Sequence, residues 1–333
     1  MKSSASAAVS KDTAEAAQAT APAPRGVNWR KLLDRLFLVG GLVMLVYVVS
    51  RYPLAELGAA CAHMGGKVAL TLLVALGWHS TNSMGMYYLF DGRVRWRTLM
   101  WVRLAAEGYN SLLAGIGGEP FRIRALSRVV PSDQVVAAVI RDKVLDHTTG
   151  YIVSGVFIVY GVLFYTLPEA MRALLATYGV IVVLVSIVGT ALVLTRLPSR
   201  FGGFAIKLLG GSATAPEPVP MRLLSRALPW YFAGRILGVC EIVLLLHLLG
   251  LNANPMRAGF FDGVLNAAGT LAFMVPQAVG VFEGTSSFLF KTFGFAGSAG
   301  VVFALVRRAR MLVLSLLGVA LHWLGRDWKG ETG

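Results

Sequence analysis

From Ala173 to Thr195 the chain runs without a single charged side chain. As a helix, that stretch would rise about 30 Å or slightly more, enough to cross the hydrocarbon core of a bilayer. No soluble helix needs such a surface. The rest of the chain agrees: 56% of its 333 residues are hydrophobic and 14% are charged, with a mean hydropathy of +0.66. Soluble domains carry about 25% charged residues. The sequence therefore predicts an all-α, polytopic membrane bundle.

Several function classes drop out. Cys61 and Cys240 are too few and too differently placed for a metal site or a disulfide framework. The five histidines show no ligand spacing, so no metal is expected. No Walker loop or convincing dinucleotide fingerprint is present, and no cofactor is implied. The net charge of +14 has no soluble basic face to sit on, which argues against nucleic acid as a partner. Basic ends and loops facing anionic lipid are the simpler account.

In chain order, residues 1–28 are rich in Ala, Ser and Pro and read as a disordered cytoplasmic tail. Residues 29–325 read as one membrane domain, and 326–333 as a second cytoplasmic tail. A first span is expected over Leu32 to Ser50, then a short loop from Arg51 to Lys67, then a span over Val68 to Phe90. His79, Ser80, Thr81, Asn82 and Ser83 in that span belong between helices rather than against lipid. Arg93, Arg95 and Arg97 mark the next loop as cytoplasmic. Further spans are expected up to Tyr165, over Ala173 to Thr195, from about Ala227 to Leu249, and over Ser298 to Leu324. Arg196 to Arg226 forms a basic cytoplasmic loop.

Two stretches break this pattern. In Ala114 to Arg128, Gly115, Gly117 and Gly118 lead into Glu119 and Pro120, and Arg122, Arg124 and Arg128 follow. In Val275 to Gly284, Pro276, Gly280, Glu283 and Gly284 repeat the grammar. Glycine and proline break a helix there. If Thr98 to Ala114 crossed fully, the arginines would lie outside, against the charge rule. A re-entrant hairpin removes the conflict. The expected architecture is therefore about six full spans and two hairpins entering from opposite faces. It forms an inverted repeat over about 68–195 and 227–325, with a site at the repeat interface.

Charged residues follow each break: Arg141, Asp142, Lys143 and Asp146 after the first, Arg307, Arg308 and Arg310 after the second. An arginine at mid-membrane costs about 2.5–3.5 kcal/mol on insertion scales, so these need partners or water. Glu283 and Asp262 are candidate partners. Plainer readings stand beside the functional one. Glu119 is a helix-start acid, Arg122, Arg124 and Arg128 are a topology signal, and residues 141–146 are one internally neutralised cluster. Arg103 with Glu107 and Asp262 with Asn266 share helix faces and read as structural pairs. Arg235 and Glu241 do not share a face.

The motifs Gly118-Glu119-x-x-Arg122 with Asp142-Lys143-x-x-Asp146, and Pro276-x-x-x-Gly280-x-x-Glu283 with Arg307 or Arg308, resemble one known family. It is that of flippase-like membrane proteins related to the transmembrane region of lysylphosphatidylglycerol synthases. The wording GGEPFRIRALSR also resembles its hopanoid-biosynthesis-associated branch. The resemblance implies a multi-pass protein of the bacterial inner membrane that moves a phospholipid or hopanoid-type lipid between leaflets; the basic loops and ends place both termini in the cytoplasm. There are departures. The family's Pro-Gly before Gly-Glu is Ala114-Gly115 here, Lys143 replaces an arginine, and Gln277-Ala278 replaces Gly-Gly.

Two functions follow. In a lipid transporter, the arginines hold an anionic head group while Glu119 and Glu283 gate or carry protons. In an intramembrane transferase, acid pairs act as general acid and base. A scaffold for lipid-synthesis enzymes is a third reading.

Overall fold

The structure is a computed structural model and describes residues 50, 54–112, 118–194, 220–252, 254–272, 275 and 278–324. The described residues are helical, without strands. In order they form α1 (Leu54–Met64), α2 (Leu70–Leu89), α3 (Trp96–Leu112), α4 (Gly118–Leu126), α5 (Ser132–Phe164), α6 (Glu169–Leu194), α7 (Met221–Leu248), α8 (Pro255–Leu271), α9 (Val281–Thr292) and α10 (Gly297–Leu324).

The boundaries follow local chemistry. Asp91 and Gly92 take φ of 50° and 75° and turn the chain after α2. Pro120 lies in the first turn of α4, where its missing N–H has no intrahelical partner to lose. Pro131 and Pro220 stand immediately before α5 and α7. Asn254 caps α8 by accepting from the Met256 N–H at 2.8 Å, with Pro255 following it.

The two breaks produce hairpins. α3 packs on α4, and α8 packs on α9. α4 has 9 residues and α9 has 12. At 1.5 Å per residue they rise only about 14 and 18 Å, too short to cross a bilayer. Asn110 ties the first hairpin by accepting from the Gly118 N–H at 2.8 Å. A Cβ at position 118 would meet Ala106 O at 2.5 Å, so the residue that opens α4 has to be glycine. Gly115, Gly117 and Pro276 lie outside the described residues.

Packing between the halves has a two-fold pattern. α2 packs along α7, α3 along α10, and α8 along α5. Exchanging α2–α5 with α7–α10 leaves that set of pairs unchanged, as an internal repeat requires. The α3–α10 contact is backbone on backbone. A Cβ on Gly318 would lie 2.0 Å from Leu104 O, and one on Gly108 would lie 2.5 Å from Ser315 O. Small residues allow this close approach in membrane bundles.

α6 lies on α5 at the edge of the bundle. It buries Met171, Leu175, Tyr178 and Val182 and exposes Val180, Ile181, Val183, Leu184, Val185, Ile187 and Val188. A large apolar face of this kind marks a membrane surface. Aromatic packing of Phe260, Phe261, Phe290 and Phe303 fills the core among α8, α9 and α10.

α5, α6 and α7 are long and apolar enough to cross a membrane by length and composition. α2 (20 residues) and α10 (28 residues) have the length, but polar or charged residues interrupt them. The expected first span, both tails and most of the loop before α7 lie outside the described residues. Two expected boundaries differ. Arg51 to Lys67 is not a plain loop, because Leu54–Met64 is an Ala- and Leu-containing helix without proline. The Arg196–Arg226 loop ends earlier than expected, because α7 begins at Met221 behind Pro220 and carries Arg222 and Arg226 on its first turns.

Candidate functional site

The charges after the two breaks gather into two clusters inside the bundle. The first is centred on Asp142 of α5, which is buried with 1% of its side chain exposed. Arg103 of α3 donates to Oδ1 at 2.5 Å, Arg122 of α4 to Oδ2 at 2.6 Å, and the Tyr231 hydroxyl of α7 to Oδ1 at 2.6 Å. Four helices thus meet on one carboxylate. Buried charge is tolerated only when paired and hydrogen-bonded in this way. At the margin, Glu119 accepts from Arg122 at 3.1 Å and pairs with Lys143 at 2.8 Å. Lys143 and Glu119 are the accessible members, with 41% and 29% of their side chains exposed.

One turn along α5, Asp146 takes Arg235 of α7 at 2.8 Å and Asn82 of α2 at 3.3 Å. Glycines make room for these partners. A Cβ on Gly85 would come within 2.6 Å of the Tyr231 ring, and one on Gly150 within 2.7 Å of the Arg235 guanidinium.

The second cluster lies on α10. Arg308 donates to Glu283 at 2.7 Å. Glu283, fully buried, also accepts from the Gly280 N–H at 2.8 Å, closing the start of α9. Gly280 takes φ of 79°, which glycine adopts without strain. Gly284 sits in the first turn that follows. Arg310 pairs with Glu241 of α7, and Arg307 approaches the same carboxylate at 4.0 Å. Arg307 also lies over the Phe303 ring, 5.7 Å from its centroid.

Beside this cluster is a cavity of about 140 Å³. Arg307, Arg308, Arg310 and Ser286 supply its polar lining, and Leu265, Phe282, Phe303 and Met311 are among its apolar walls. The clusters are linked. Buried His79 lies within electrostatic reach of both Arg103 and Arg310. Glu107 lies within reach of Lys143 and Arg103 on one side and of Arg310 on the other.

The structure thus brings Glu119, Arg122, Asp142 and Lys143 into one cluster, Asp146 next to it, and Glu283, Arg307, Arg308 and Arg310 into the other. Arg124 and Arg128 are exposed and point away. Arg141 is half-buried on α5 and, like Glu119, is absent from the cavity lining. Asp142, Lys143 and Asp146 are neutralised across helices rather than by one another. Arg103 pairs with Asp142, not with Glu107 as its spacing suggests. Asp262 does accept from Asn266, at 3.0 Å. Tyr231 was not singled out by sequence, and Glu241 had no assigned partner. A lone tyrosine in an apolar helix carries no signal until α5 is placed beside it.

This is a helical membrane protein with paired charges and an arginine-lined cavity inside the bundle. The family of the lysylphosphatidylglycerol synthase TM region matches residues 33–318, and the chain belongs to that family. It is thus a membrane protein related to lipid handling. Comparison with curated proteins and with solved structures gives no match.

Proposed function

We propose that the protein binds the anionic head group of a membrane lipid in the α9–α10 cavity and moves that lipid between leaflets. The observation that carries this reading is the lining itself: three guanidinium groups and a serine beside aromatic and aliphatic walls. Such a site suits a ligand with a charged head and a hydrocarbon body. Its volume of about 140 Å³ is well below the roughly 300–1,000 Å³ of drug-sized sites, so the acyl or hopanoid chains would stay in the bilayer.

Charge supports the same reading. Around the cavity, Arg307, Arg308 and Arg310 stand together, with Glu241 and Glu283 as their ion-pair partners. In this reading the hairpins enter from opposite faces of a bacterial cytoplasmic membrane, both termini are cytoplasmic, and enzymes of lipid synthesis supply the cargo. Glu119, Arg122, Asp142, Lys143 and Asp146 hold the opposite half together around its own hairpin.

Reconstitution tests it. Proteoliposomes with a labelled anionic phospholipid should show protein-dependent movement between leaflets, with the lipid unchanged in mass. A covalently modified product and no movement would instead make the protein a transferase.

A further inference from the structure

Glu241 is engaged on one side only. Its Oε2 takes Arg310, while Oε1 is buried and has no hydrogen-bond partner among the described residues. Arg307 comes closest to Glu241 with its Nε, 4.0 Å from Oε1, beyond hydrogen-bond range. Among the described residues Arg307 makes no closer ion pair: it rests over Phe303 and faces the cavity, with 23% of its side chain exposed and Asp262 within electrostatic reach. Arg308, by contrast, is tied to Glu283 at 2.7 Å.

A buried carboxylate oxygen without a donor is costly, and a guanidinium about 1 Å too far away is the obvious remedy. An anion in the cavity would draw the same guanidinium the other way. We infer that Glu241 is an internal competitor for Arg307: the acid draws the arginine toward α7, and a ligand anion in the cavity draws it away. Glu241 thereby sets how tightly the head group is held and favours its release. This inference rests on the cavity being the head-group site. It adds a specificity-determining acid on α7, outside both hairpins.

The competition predicts an unusual sign. Removing an acid from a well-paired buried cluster normally weakens a site, but Glu241→Gln should tighten this one. The amide oxygen of the substituted side chain still accepts from Arg310, while Arg307 loses the acid that stands closest to it.

The test is titration of the purified full-length protein in detergent with a phosphatidylglycerol carrying a fluorophore on one chain. Thermal unfolding is followed in parallel, and inorganic phosphate serves as a second probe. Glu241→Gln is expected to bind the lipid about tenfold tighter than the parent, a shift of about 1.4 kcal/mol. Glu241→Asp, which lengthens the gap to Arg307, should fall between the two and carries the test if the Gln variant does not fold. Arg307→Gln should bind at least about tenfold more weakly, and adding Glu241→Gln to it should restore nothing, because the acid acts through Arg307. Unchanged or weaker binding by folded Glu241 variants overturns the competition, as does equal tightening in the Arg307→Gln background. Parent-like binding by Arg307→Gln removes the cavity reading and the competition with it. If inorganic phosphate displaces the lipid as well as unlabelled phosphatidylglycerol does, the competition stands and the lipid reading fails.

Discussion

Arg235 and Glu241 serve opposite halves of the molecule from the same helix. Arg235 of α7 holds Asp146 of α5 at 2.8 Å, and Glu241 holds Arg310 of α10. Their positions lie roughly 120° apart around a helix axis, so they face different neighbours. α7 therefore ties the helix after the first hairpin to the helix after the second, with charges of opposite sign. The scheme is complementary: α5 supplies acids that meet arginines, and α10 supplies arginines that meet acids.

Asp142 is the residue whose loss should cost the fold most. Asp142→Asn would leave Arg103 buried without its ion-pair partner and Arg122 with Glu119 alone, and breaking a buried pair costs about 3–5 kcal/mol. The variant should accumulate poorly or unfold at markedly lower temperature in detergent. Tyr231→Phe removes only the 2.6 Å hydrogen bond to Asp142 and should cost about 1.5–3 kcal/mol. Equal midpoints for parent and Asp142→Asn would show that this cluster does not support the fold.

The α3–α10 contact makes a second prediction. Gly318→Ala places a Cβ 2.0 Å from the Leu104 carbonyl oxygen, and neither backbone can yield without separating the helices. Overpacking of this kind typically costs about 1–3 kcal/mol. A matched control is Gly179→Ala, where the new Cβ meets nothing within 4 Å. Thermal unfolding should fall for position 318 and not for 179.

Ala278 offers the opposite sign. It takes φ of 46°, in the left-handed region that costs an L-residue roughly 1–2 kcal/mol. Glycine gives back about 0.5–1 kcal/mol through its freer unfolded state. Ala278→Gly should therefore stabilise the protein slightly, raising the unfolding midpoint; a lower midpoint would mean that the tip does not hold this conformation.

Much of this was legible in the sequence because its signals are local. Apolar runs gave the long helices, Gly and Pro gave both breaks, and the spacing of Asp262 and Asn266 gave their bond. The ion-pair partners were less accessible. Arg103 shares a face with Glu107, but its partner is set by how α3 meets α5, which no spacing encodes. Glu283 was foreseen for the α10 arginines because it sits at a break. Glu241 was not, because an acid in mid-helix looks the same whichever neighbour it faces. The two glutamates of the breaks, Glu119 and Glu283, belong to separate clusters, a division that their matching grammar does not encode.

Topology can be checked without a ligand. In a background lacking Cys61 and Cys240, single cysteines at Ala55 and Arg200 should react with a membrane-impermeant reagent from opposite sides. Position 55 should label from outside intact cells and position 200 only after permeabilisation. Equal labelling from outside would remove the alternation of basic loops on which the orientation rests.

The central claim is that a lipid head group occupies the α9–α10 cavity. Photo-crosslinking in native-like membranes tests it most directly, using an anionic phospholipid with a diazirine close to its head group and peptide mapping by mass spectrometry. Label should concentrate on the segments carrying Phe282 and Met311, which line the cavity, and should fall sharply in an Arg307→Gln, Arg308→Gln variant that remains folded. Label spread along the exposed face of α6 and unchanged by the double substitution would contradict the claim.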